Sequence, residues 1–228
     1  MSKNKTEEDP PLSCVNFTAT APRQRPKVGL RRRGEIRAQK FLDAAIDIFL
    51  EKGCQNARLT DIVAKAGGSL STLYRVYGDK EGLVQAIMEK GINCFSKRLN
   101  VLHESPLPPQ LALMDIVDSL IDAMLEPEHI IALRVSFSEG LAFPELRDWF
   151  REHGITPAHE SLEKYFQREK EAGRLRLQSP RLASHYYYMI VLGDIALSFN
   201  NPLPSTDAVQ IKQDAYKGVQ MFLHGVLP

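Results

Sequence analysis

Between Leu59 and Leu83 the chain reads LTDIVAKAGGSLSTLYRVYGDKEGL, and its polar residues are of kinds that bind a polyanion rather than turn over a substrate. Ser69, Ser71 and Thr72 offer short hydroxyls, Tyr74 a phenol, and Arg75 a guanidinium whose fork matches phosphate oxygens or the edge of guanine. Interleaved with them, Ile62, Val63, Ala66 and Leu73 stand where the buried side of a helix pair would need them. Two helices of seven or eight residues joined by a short Gly-bearing turn make a helix-turn-helix, whose second helix lies in a DNA major groove. Tyr74 and Tyr77 have a second reading, as rings that only complete a small bundle.

Other chemistries find little support. There is no phosphate-cradling Gly loop, no HExxH and no nucleophile elbow, and the six histidines are scattered without metal-ligand spacing. Cys14, Cys54 and Cys94 are odd in number and far apart, which suits reduced thiols better than a disulfide framework or a CxxC pair. The expectation is therefore no catalytic residue, no metal and no cofactor. A helical-bundle enzyme is the rival from another class, and a turnover screen separates the two.

The elements that must hold these side chains are helical throughout. From Glu35 to Gly53, the residues Ile36, Phe41, Ala44, Ala45, Ile48 and Phe49 recur at three- and four-residue spacings. Gly53 stops that helix, Gly67 and Gly68 end a second over Leu59–Ala66, and Gly78 closes a third over Leu70–Tyr77. Asp79 caps a long fourth helix that starts near Lys80. Beyond Leu102, Pro and Gly divide amphipathic segments at Leu111–Leu125, Glu128–Gly140, Phe143–Gly154, Thr156–Gly173, Pro180–Phe199 and Asp207–Gly225. The predicted fold is all-α: a small N-terminal three-helix bundle carrying the helix-turn-helix and a larger C-terminal bundle, about nine helices together. Residues 1–30 read as a disordered basic arm, 31–80 as the DNA-binding unit, and 81–228 as the effector and dimerisation unit.

Charge is distributed to match. Residues 1–80 carry 15 Lys or Arg against 9 Asp or Glu, a net of +6, whereas residues 81–228 carry 14 against 19, a net of −5. The block Arg31, Arg32 and Arg33 suits a groove-reading arm, or else a general electrostatic anchor on the phosphate backbone. No run reaches the roughly 18 to 20 apolar residues of a membrane span, and no apolar leader opens the chain. The expected compartment is the cytoplasm.

The helix-turn-helix segment resembles the TetR family of bacterial transcription regulators. The residues that carry the likeness are Gly53, Asp61-Ile62-Val63, Ala66-Gly67-Gly68-Ser69, Thr72-Leu73-Tyr74, Tyr77 and Lys80, in the family's order. The resemblance implies that Thr72 and Tyr74 touch phosphate or thymine methyl groups, that Leu70, Ser71 and Arg75 read sequence, and that Thr60 and Lys80 meet the backbone; Ser69 and Tyr77 complete the expected interface. Three positions depart from the pattern: Gly68 for an apolar turn residue, Arg58 for a capping Ser or Thr, and Leu70 for a polar reader.

The stretch from Leu133-Arg134 through Glu139 to Phe143-Pro144-Glu145-Leu146 is similar to the C-terminal region of the AcrR and AefR branch. That likeness implies a ligand-responsive repressor of double-stranded operator DNA with a small hydrophobic effector, for which Met114, Phe137, Trp149, Phe150, His153 and Tyr186 are the candidate pocket walls. Each of these is also what an ordinary core contains. It further implies a homodimer, with Tyr187, Ile190, Val191, Asp194, Val219 and Phe222 at the interface. A protein partner in place of a small molecule is the alternative.

Overall fold

The computed structural model describes residues 32–198 and 205–227, so the expected arm at 1–30 and Arg31 lie outside the described residues. Those residues form ten α-helices and one π-helical turn, with no strand among them. The N-terminal helices are α1 (Arg32–Asn56), α2 (Leu59–Ala66), α3 (Leu70–Tyr77) and α4 (Lys80–Glu104). They are followed by α5 (Pro109–Leu125), α6 (Pro127–Phe137), α7 (Pro144–Phe150), α8 (Thr156–Glu171), α9 (Pro180–Ser198) and α10 (Ser205–Val226). Pro109, Pro127, Pro144 and Pro180 each begin a helix, where the missing N–H would have had no partner anyway.

Two apolar cores organise the chain. The first joins α1–α3 and the N-terminal half of α4 through Phe41, Phe49, Ile62, Leu73 and Ile87, and is completed by Ile131 and Val135 of α6 and Trp149 and Phe150 of α7. The second lies among α4, α5, α8, α9 and α10, with Leu113, Leu120, Leu162, Phe166, Tyr187 and Val219 buried in it.

Two local departures from sequence expectation have physical causes. Gly53 does break the helical dihedrals, at φ 77° and ψ 159°, but helical turns resume beyond it as far as Asn56. Gly154 does not stop a helix: Arg151–Ile155 forms a π turn that runs from α7 into α8 without a gap. A Cβ on Gly154 would meet Ile92 and Phe150, each at 3.1 Å, so that glycine serves close packing against α4 and α7.

Candidate nucleic-acid interface

The recognition helix is held from beneath. Leu73 is fully buried, and Tyr77, one turn on, is buried with its hydroxyl donating to the Ala38 carbonyl of α1 at 2.8 Å. Because side chains four apart share a face, fixing those two turns Ser71, Tyr74 and Arg75 outward, with Tyr74 49% exposed. Thr72 and Leu70 lie at the edge of this face, and Thr60 is exposed on α2. Tyr77 thus lies beneath the outward face in the unbound chain, with its hydroxyl engaged by α1.

Both ends of α3 are made locally. Ser69 Oγ accepts the Thr72 N–H at 3.3 Å as the N-cap, and the same oxygen lies 2.9 Å from both Ser71 Oγ and Thr72 Oγ1. Hydroxyls rotate to suit, so this exposed trio can exchange its mutual hydrogen bonds for phosphate or base acceptors. Gly78 ends the helix at φ 83°, its N–H reaching the Tyr74 carbonyl at 2.8 Å. At Gly68, φ is 128° and a Cβ would stand 3.1 Å from the Phe41 ring. That ring occupies the space an apolar turn residue would fill, which explains the first departure from the family pattern. Arg58 gives α2 no side-chain cap.

The corner between α1 and α2 is gripped by side chains from distant elements. The break at Gly53 leaves backbone groups without helical partners. Glu139, just past α6, accepts the N–H of Cys54 at 3.1 Å and of Gln55 at 2.7 Å. Arg134 Nη1 donates to the Leu50 carbonyl at 2.8 Å. Lys80 Nζ donates to the carbonyls of Gln55 at 2.8 Å and Ala57 at 3.2 Å. Lys80, for which the expectation is a phosphate contact, fastens this corner with two of the three N–H donors of an ammonium. Burial, reinforced by the Glu139 carboxylate, pushes the Cys54 thiol far above its ordinary range, so it is inert. Lys52–Asp61 and Lys65–Asp47 also link α1 to α2, but such exposed pairs contribute little. The side chains of Arg32 and Arg33, at the start of α1, lie outside the described residues.

Two family models match the chain: residues 41–87 fit "Bacterial regulatory proteins, tetR family", and residues 111–225 fit "AefR-like transcriptional repressor, C-terminal domain". The chain belongs to the TetR family. Among its relatives is the HTH-type transcriptional regulator YvdT of Bacillus subtilis, 43% identical over 51 residues, which are 22% of this chain and 26% of YvdT. The curated relatives it matches are covered over 26 to 56% of their own lengths. A putative TetR-family regulator from Mesorhizobium loti superposes with a TM-score of 0.72 at 20% identity, over 87% of this chain and all of that one. The SmeT–triclosan complex superposes at 0.68 and 21% identity, over 84% of this chain and 92% of SmeT. At those identities the likeness is one of TetR fold.

The expected TetR effector walls are spread over α5, α6, α7, the π turn and α9. Phe137 and Tyr186 are 58% and 60% exposed, on α6 and α9, while Met114 packs at the margin of the second core. Trp149 is buried with the exposed His153 ring stacked on it at 4.7 Å. Phe150 lines a small interior void with Ile92, Phe95, Ser96, His129, Gly154 and Tyr188, and Tyr186 lines an open groove of about 410 Å³ that Leu182 and Phe222 also border. Aromatics at helical spacing do not reveal which side of a helix faces a void, and His129 carries no motif. The expected dimer set divides similarly. Tyr187, Val191 and Val219 are buried in the subunit's own core, with the Tyr187 hydroxyl donating to the Leu113 carbonyl at 2.7 Å. The outward face of α9 and α10 instead presents Leu182, Tyr186, Met189 and Met221, flanked by half-buried Ile190 and Phe222. The Asp194 side chain lies outside the described residues.

Proposed function

We propose that the chain is a homodimeric, ligand-responsive repressor that reads double-stranded operator DNA in the cytoplasm with α3 of each subunit. The carrying observation is the outward set Ser71, Tyr74 and Arg75 with Thr72 at its edge, braced by buried Leu73 and the Tyr77–Ala38 hydrogen bond. Phosphates supply affinity through hydroxyls and cations, and base edges supply selection. Arg31, Arg32 and Arg33 precede this surface and steepen the salt dependence by about one unit for each phosphate engaged.

The exposed apolar face of α9 and α10 is the dimer surface in this reading, since contiguous apolar area of that kind marks an interaction site. Pairing two subunits there sets the spacing of the two α3 helices, which for adjacent grooves is about 34 to 36 Å. Effector binding within the C-terminal bundle favours a state in which that spacing is wrong. SmeT, a fold neighbour, has been seen with triclosan, which supports a small-molecule effector.

Selection of genomic fragments by the purified protein, followed by anisotropy titration at moderate salt, tests the proposal. The best fragment should bind at least about a thousandfold tighter than mixed-sequence DNA. Equal affinity for the two ends the proposal.

A further inference from the structure

His159 of α8 and His185 of α9 lie face to face, with ring centroids 4.2 Å apart and planes 14° from parallel. His159 also meets the Tyr188 ring at 4.6 Å, and Tyr188 in turn rests edge-on against Phe95 of α4 at 6.3 Å. Both imidazoles are half-buried, in the seam along which α8 packs on α9.

We infer that this stacked pair is an acid-sensitive latch between α8 and α9, which holds the two helices together while it carries no more than one proton and parts them when it carries two. The inference rests on the reading of the α9 and α10 face as the dimer surface, and adds the signal, a fall in pH, that releases it.

Histidine is the side chain whose charge ordinarily changes between about pH 5 and 8. Two neutral rings stack through their faces, and a single imidazolium is accommodated as a cation is on an aromatic face. Two imidazolium rings at 4.2 Å are like charges in contact, and partial burial makes their repulsion stronger than it is in water. The second proton therefore enters only as the rings separate, and both protonation steps belong to the pair rather than to either ring.

The surrounding groups do not cancel that repulsion. On α8, Glu160 and Glu163 line the outer surface of the helix together with Lys164 and Arg168. On α9, the His185 Nδ1–H donates to the Arg181 carbonyl at 2.8 Å, and the Arg181 guanidinium has the same sign as an imidazolium. From α4 come uncharged Phe95 and, two residues further along α8, His103 at 2.9 Å from Ser161 Oγ. On the π turn, Arg151, Glu152 and His153 are exposed. Burial pushes the Tyr188 phenol up to about 12, so it stays neutral. Burial first, and the charge of His185 second, hold His159 below the ordinary histidine range. The parted or unfolded chain thus binds the proton more tightly, so the latch is closed above the ordinary value of 6.5 and is lost as pH falls below it.

What the latch controls follows from its place on α9. His185 lies one turn from Leu182 and from Met189 and next to Tyr186, the outward apolar residues of that helix. A displacement of α9 at His185 moves all three.

Full-length wild type and two variants, His159→Phe and His185→Phe, test this, because each variant keeps a flat ring in the stack and can hold at most one charge. Sedimentation equilibrium and anisotropy on the selected fragment are followed from about pH 8 to about pH 5.5. Wild type should lose roughly tenfold in DNA affinity, equivalent to one pKa unit of linkage, as its dimer dissociates, whereas each variant should keep both. Acid by itself adds positive charge and strengthens phosphate binding, so a simple charge effect has the opposite sign. In wild type the His159 ring resonance should titrate in two steps, and in His185→Phe in one step at higher pH. A wild-type dimer and affinity that persist to the lowest pH, variants that lose them in parallel with wild type, or a single-step His159 titration in wild type each overturns the inference. If the protein is monomeric at every pH, the dimer-surface reading fails and the inference fails with it. If a dimer forms but no fragment is bound selectively, the regulator reading fails alone, and sedimentation and the resonances still decide the latch.

Discussion

The Glu139 carboxylate accepts the backbone N–H of Gln55 at 2.7 Å, across 84 positions of sequence. It thereby ties the end of α6 to the corner from which α2 and α3 depart. Glu139→Ala removes this bond and the one to Cys54, both charge-assisted. Stability should fall by about 1–2 kcal/mol in urea titration. At a temperature where both proteins are folded, operator affinity should also weaken about fivefold, roughly 1 kcal/mol. Unchanged DNA affinity alongside lost stability would show the tie to be purely structural.

On α3, exposure and burial predict opposite phenotypes. Tyr74→Ala and Arg75→Ala should each cost about 1–3 kcal/mol of operator binding and leave the melting temperature within a degree or two. Leu73→Ala should lower stability by about 2–5 kcal/mol, because a fully buried side chain is lost to a cavity. Anisotropy on the selected fragment and calorimetric unfolding distinguish the two classes.

The same contrast locates the subunit contact. Met221 is 75% exposed and Val219, two residues away, is fully buried. Met221→Asp should yield a folded monomer in sedimentation equilibrium. Val219→Asp should destabilise the fold itself by more than about 4 kcal/mol. A dimer that persists in Met221→Asp places the contact elsewhere.

Acid should expose His129. Its folded pKa of about 4 lies below the usual value of about 6.5, so the unfolded chain binds the extra proton between those limits. The contribution is present above pH 6.5 and is lost as pH falls towards 4, by about 3 kcal/mol at most. Burial lowers His103 and His159 in the same direction, so the diagnostic quantity is wild type minus His129→Phe. A difference that does not change between pH 7 and pH 4 contradicts a buried neutral ring.

Much of this molecule was legible from local signals. The bounds of α2 and α3 follow from Gly67, Ser69, Gly78 and Asp79, whose effects act within a turn or two of chain. Long-range partners were not legible. Lys80 has the family's position but donates to carbonyls 25 and 23 residues back, and Tyr77 finds its acceptor 39 residues away. On α9 the apolar positions go all the way round, so periodicity could not say that Tyr187 faces inward while Tyr186 faces out; α10 has one apolar side that includes Val219, with Met221 standing off it. His129 gave no sequence signal, because its burial is a property of its surroundings.

Ile131, Val135, Trp149 and Phe150 fill the same apolar cluster as Phe41, Ile62 and Leu73. Operator preference consequently cannot be transplanted by exchanging the first eighty or so residues alone. A chimera cut there leaves the donor head's underside facing a foreign seat, and should fold poorly unless α6 and α7 travel with it.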